Sequence, residues 1–210
     1  MNLPEITRTL LEDRKGILSF DQSDEELGAS FIREGITSSE ETRRAFRELV
    51  FTTEGFERCV SGVTLSEEGL NDAHPSFGLF SEYLISKKIL VGVEVGNSQS
   101  DSEIVSALPQ RLSQLRSREV SFAEWRMSVS VQGSPASQET KDKLRARIEF
   151  AKMCQSENIV PVIETDVLMD GSHSAAQAED TITETLSLLS DLLESGGLDL
   201  KGVVVKTAMA

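Results

Sequence analysis

Basic residues, cysteine, aromatic residues and long apolar runs are all scarce in this 210-residue chain. Lysine and arginine together number 21 against 35 aspartates and glutamates, which gives a formal net charge of −14. So negative a surface repels phosphate backbones and argues against nucleic acid or an anionic membrane as partner. The acidic excess lies in short clusters such as Ser23-Asp24-Glu25-Glu26 and Glu40-Glu41, the pattern of a solvated surface. Cys59 and Cys154 lie far apart with no CxxC spacing. That excludes a zinc signature and a disulfide framework, and each is expected to be a buried structural thiol. The start, Met1 to Arg8, lacks the apolar segment of a signal peptide, and no run is long enough to span a bilayer. A reduced, cytoplasmic setting is the expectation. His74 and His173 stand alone in polar stretches and are expected at surface loops without a role.

What is present is an alternation. Short β-branched runs occur at Gly16–Asp21, Val60–Leu65, Ile89–Val95, Arg126–Val131, Ile159–Ile163 and Gly202–Lys206. Between them lie polar stretches with helical spacing. Apolar strands alternating with amphipathic helices are what a parallel sheet covered by helices requires. Ser38 followed by Glu41 predicts a capping box opening a helix over Glu40–Val50, with Phe46, Leu49 and Val50 inward. Leu144, Ile148 and Ala151 mark a later helix, which Ile182, Leu186, Leu189 and Leu193 follow with the last one. Gly196-Gly197 supplies the permissive backbone for that helix's end, and Pro109 is expected to kink or delay the helix near it. No linker interrupts the pattern, so residues 1–210 read as one domain.

Two architectures fit six such units. An open doubly wound sheet wants a glycine-rich phosphate turn after its first strand, and Asp21-Gln-Ser-Asp-Glu-Glu offers none. The other is an α/β chain of the (β/α)8 TIM-barrel type with six of its eight units present, incomplete at the C-terminus. In that fold, function sits at the C-terminal ends of strands. Those ends hold Asp21, Glu67 with Glu68, Glu94, Ser130, Glu164 with Asp166, and Lys206. A lysine amine facing carboxyl groups can form an imine with a carbonyl while an acid shuttles protons. By spacing alone a salt-bridged or surface lysine is the commoner reading.

The local strings resemble class I fructose-bisphosphate aldolases from end to end. Lys15-Gly-Ile-Leu-Ser-Phe-Asp-Gln-Ser resembles that family's first strand, and Ser61-Gly-Val-Thr-Leu-Ser-Glu-Glu its second. Val91-Gly-Val-Glu-Val is similar to the third and Phe122-Ala-Glu-Trp-Arg to the fourth. Asn158-Ile-Val-Pro-Val-Ile-Glu-Thr-Asp resembles the fifth, and Gly202-Val-Val-Val-Lys-Thr-Ala-Met the sixth. The resemblance implies reversible aldol cleavage of a ketose phosphate, as in glycolysis, without metal or other cofactor. It makes Lys206 the imine-forming nucleophile, Glu164 the proton shuttle, Asp166 a second acid and Asp21 the residue positioning sugar hydroxyls. Arg126, beside Trp125, and Ser23 would bind substrate.

Several positions depart from the family pattern, among them Gly96, in place of an acidic residue, and Ser30, in place of a phosphate-binding arginine. Glu94 and Glu124 stand where the resemblance calls for lysines, and Ser130 replaces a further one. A sugar bisphosphate needs oriented cations, so these substitutions argue against turnover of the bisphosphate. A smaller or less charged carbonyl compound remains a candidate. The alternative is an impaired pseudoaldolase serving as a structural or interaction subunit, in a homo-oligomer or a protein complex. A third reading takes Glu94, Glu124, Glu164 and Asp166 as hard-oxygen ligands for Mg²⁺ or Mn²⁺.

Overall fold

The structure is a computed structural model, described for residues 1–12, 14–96, 100–131, 137–168 and 171–208. In chain order the elements are α1 (Leu3–Leu10), β1 (Gly16–Phe20), α2 (Asp24–Arg33), α3 (Glu40–Phe51), α4 (Phe56–Cys59) and β2 (Val60–Leu65). A short hairpin, β3 (Ala73–His74) and β4 (Gly78–Leu79), leads to α5 (Phe80–Ser86) and β5 (Leu90–Glu94). Then come α6 (Asp101–Ser117), β6 (Phe122–Val129), α7 (Gln138–Ser156), β7 (Val160–Val167), α8 (Ala175–Ser195) and β8 (Val204–Thr207). All six expected strands form, and the chain divides into two compact units, Arg8–Val95 and Gly96–Ala210 with Met1–Thr7.

In the first of these, β1 pairs parallel with β2, and β2 with β5. Val63, Leu65, Val91 and Val93 are buried, as strands covered on both faces must be. Phe51 seals α3 against this sheet, its ring 5.0 Å from Phe20 and 5.7 Å from Phe80. The inward face of α3 differs from the expected one. Leu49 is 69% exposed, whereas Arg47 is 2% exposed. Its guanidinium reaches Asp24 at 3.1 Å and Asp72 at 2.6 Å, so paired charge occupies a place that apolar spacing assigns elsewhere. The cap also moves by one residue: Ser39 accepts from the Thr42 amide, and Thr42 closes the box. His74 is no loop residue; it lies in β3, pairs with Glu48 at 3.1 Å and stacks on Phe77. Cys59 is exposed, contrary to expectation, while Cys154 is buried.

In the second unit, β6 and β7 run parallel in register over their whole lengths, and β7 pairs parallel with β8. β6 starts at Phe122 rather than Arg126, because Glu124 interrupts the apolar run in sequence yet lies fully buried in the sheet. β7 runs on to Val167, beyond the expected Ile163. On α7 the expected stripe of Leu144, Ile148 and Ala151 is buried, with Arg147 inside it. On α8 the stripe turns by one position: Thr181 and Thr185 join Leu189 and Leu193 inward, while Ile182 and Leu186 are half-buried. Burial of these threonines is tolerated because each hydroxyl donates to the carbonyl one turn back, at 2.9 and 2.7 Å. Gly197, at φ +73°, supplies the left-handed residue just past the helix end. Pro109 sits inside α6, which begins earlier at Asp101 behind a Ser100 capping box. Among the described residues, no helix is long and apolar enough to cross a membrane.

Gly202 enters β8 beneath α1. A Cβ there would lie 2.8 Å from the Leu3 Cβ, an atom fixed to the helix backbone. Gly202→Ala should therefore push α1 off β8 and destabilise the chain by about 1–3 kcal/mol, measured by urea unfolding.

Candidate active site

Register assembles this site. In parallel strands, laterally paired residues present their side chains on the same face. Arg126 of β6 pairs with Glu164 of β7, and Glu164 pairs with Lys206 of β8. Glu124, two positions before Arg126, shares that face. The opposite face of β6 carries Trp125, whose ring meets Phe150 of α7 edge-on at 5.6 Å. Alternation along three short strands thus sends four charged side chains one way and the apolar cover the other.

Lys206 Nζ donates to Glu124 Oε1 at 2.7 Å and lies 3.1 Å from Glu164 Oε2. Arg126 Nε donates to the same Glu164 oxygen at 3.0 Å. The two carboxylates are buried, Glu124 completely, whereas the Lys206 and Arg126 side chains are 35% and 45% exposed. The cations thus form the accessible rim and the carboxylates the floor.

Burial by itself would lower the Lys206 pKa. The hydrogen bond to Glu124, that group's charge and the charge of Glu164 together overcome burial, and the pKa is raised above its ordinary 10.5. Glu164 moves the other way. Burial favours its protonated form, but hydrogen bonds with Glu124 and Arg126 and the charges of Lys206 and Arg126 hold it below its ordinary 4.5. The resting site therefore contains an ammonium, poor as a nucleophile, against an ionised carboxylate.

The remaining expected site residues lie as follows. Asp166 is inside β7, not past its end, paired in register with Ser128, and its Oδ1 accepts from the Val167 amide at 2.8 Å. Ser130 is exposed just beyond β6. Asp21, Ser23 and Glu94 belong to the Arg8–Val95 unit. Asp21 follows β1, and Glu94 ends β5 half-buried. Ser23 is the N-cap of α2, its hydroxyl accepting from the Glu26 amide. Among the described residues, no group of three or more His, Cys, Asp or Glu is arranged to hold a metal ion. The carboxylates of Glu124 and Glu164 are instead engaged by Lys206 and Arg126.

One contributor went unnoticed in the sequence. Arg147 of α7 is 4% exposed, with its guanidinium 3.9 Å over the Trp125 ring and a hydrogen bond to the Arg126 carbonyl. An arginine embedded in an apolar helical stripe was the available signal.

A family model described as glycolytic class-I fructose-bisphosphate aldolase matches residues 2–210. Fructose-bisphosphate aldolase of Encephalitozoon cuniculi is 29% identical, covering 99% of this chain and 64% of the relative. That of Drosophila melanogaster is also 29% identical, covering 99% and 60%, and aldolase B of Mus musculus is 28% identical with the same coverage. The chain thus spans less than two thirds of the length of these relatives. Among solved structures, Plasmodium falciparum aldolase, in complex with TRAP and a small-molecule inhibitor, matches with a TM-score of 0.87 at 25% identity. That match covers 98% of this chain and 62% of the other. It gives the fold as α/β of the TIM-barrel type, here with six parallel strands. Together with the match from residue 2 to residue 210, it makes the chain a member of the class I fructose-bisphosphate aldolase family.

Proposed function

We propose that this is an attenuated class I aldolase-type protein that forms an imine at Lys206 with a ketose phosphate in the cytoplasm, and for which a bisphosphate is a poor substrate. The observation that carries the reading is the 2.7 Å contact between Lys206 and the buried Glu124. An amine attacks a carbonyl only when unprotonated, and this contact raises the pKa that must be overcome. Glu164, held ionised, is the group that would take and return protons as the carbinolamine dehydrates. Arg126 offers the exposed guanidinium for a phosphate or hydroxyl group, and Asp166 a second acid. Roles for Asp21 and Ser23 rest on the family resemblance alone.

Trapping with dihydroxyacetone phosphate and borohydride tests this. Adduct at Lys206 should form slowly at neutral pH and faster as pH rises toward the raised lysine value. Glu124→Gln removes the negative charge and lowers that value. Each unit of lowering multiplies the free amine at neutral pH about tenfold, so the variant should trap at least about tenfold faster at pH 7.5. Absence of any adduct at Lys206 in both proteins, read by peptide mass spectrometry, would sink the reading.

The same contact also favours a second reading, a pseudoaldolase in which Lys206 is chiefly the counterion of Glu124 and the chain serves as an interaction subunit. Breaking a buried pair costs about 3–5 kcal/mol. Because Lys206 is partly exposed, Lys206→Met should fall near the low end, and adding Glu124→Gln should recover most of the loss. The sign with pH is set by the lysine. Its raised pKa contributes stability that is full below 10.5 and disappears as pH rises through the folded value. The gap between wild type and Lys206→Met should therefore close in alkaline denaturant titrations. A pH-independent gap would show that the pair is not its source.

A further inference from the structure

Arg147 is buried among Leu144, Ile148 and Ala151 on α7. A hydrophobic side chain there would cover Trp125 without the cost of desolvating a guanidinium. What the arginine adds is direction. Nη2 donates to the Arg126 carbonyl oxygen at 2.9 Å, Nη1 donates to the Lys143 carbonyl at 3.3 Å, and Nη1 also pairs with the Asp101 carboxylate in the first turn of α6. The guanidinium plane meanwhile covers the Trp125 ring at 3.9 Å, a stacking contact that favours a flat cation. One side chain thereby fixes α6, α7 and two consecutive residues of β6. The second of those residues is Arg126, whose side chain shares Glu164 Oε2 with Lys206.

We propose that Arg147 is a positioning residue for the Lys206 site: by fixing Trp125 and the Arg126 peptide, it aims the Arg126 side chain at Glu164. This deepens the proposed aldolase reading, since Glu164 is the proton-transferring group there. Arg147 acts through Arg126. With Arg126 held in place, Glu164 is divided between two cations and stays ionised. With Arg126 loosened, Glu164 loses one of the groups that stabilise its charge.

The test is the titration of the Glu164 carboxyl, followed by ¹³C NMR in wild type, Arg126→Met, Arg147→Met and the double variant. Arg147→Met should raise the Glu164 pKa by an amount comparable to Arg126→Met, and the double variant should go no further than Arg126→Met. Arg147→Lys keeps the charge but loses the fork, and should give a smaller shift of the same sign. A folded Arg147→Met protein that titrates Glu164 as wild type does overturns the proposal, as does a double variant in which the two shifts add. If Arg147→Met fails to fold, Asp101→Asn frees the guanidinium from its outer side and should raise Glu164 in the same direction; no shift there overturns the proposal too. The titration needs no imine. Coupling without any borohydride adduct in wild type would leave the positioning role standing and remove the aldolase reading; an adduct without coupling would do the reverse.

Discussion

The carboxyl group of Glu124 has no exposed surface, although it lies inside a strand of the sheet, and its partner there is Lys206. Withdrawing a carboxylate from water costs several kcal/mol even after the protein relaxes. The ammonium offsets part of that cost at 2.7 Å, and Glu164 and Arg126 extend the pair into a network. The registers of β6, β7 and β8 follow the same constraint, because a one-residue slip would turn every one of these side chains to the opposite face. Fold and site are thus specified by one set of contacts. The lysine that the family resemblance assigns to chemistry is also the lysine that keeps a buried charge tolerable.

Charge balance follows directly. Two cations and two carboxylates meet here, and the shared oxygen of Glu164 ties them into one group. A lysine in place of Glu124 would leave such a cluster strongly positive. With glutamate its net charge is lower, so it exerts less attraction on a ligand carrying several negative charges, and the attraction it does exert comes from the partly exposed rim of Lys206 and Arg126. The proposed weakness toward a bisphosphate rests on that reduction in charge.

Much of this was legible in the sequence, because apolar runs of the right length and helical stripes such as Leu144, Ile148 and Ala151 report packing faithfully. What was not legible shares one cause: charge or hydroxyl groups buried with their partners. Glu124 hid the first half of β6, Arg47 displaced Leu49 from the inner face of α3, and Thr181 and Thr185 displaced Ile182 and Leu186 on α8. Spacing rules treat a polar residue as outward, and only its partners, distant in sequence, make it inward. Arg147 follows the same rule, since its partners lie across α6 and β6, distant in sequence. The family motifs singled out Lys206, Glu164 and Arg126, which lie on three separate strands, and strand register brings their side chains into contact.

Glu124 would not penalise every stage of imine chemistry equally. An iminium at Lys206 carries the same positive charge as the resting ammonium, so a carboxylate at this distance stabilises both to a similar degree. Uniform stabilisation of two states leaves the balance between them nearly unchanged. The species that loses is the neutral amine between them, which has no charge for Glu124 to hold. The substitution therefore acts on the rate of carbonyl capture more than on the equilibrium extent of imine formation. Under the proposed imine reading, a protein with this contact would be slow at carbonyl capture while still holding an iminium firmly once formed, and an assay of steady turnover would understate the reactivity of its lysine.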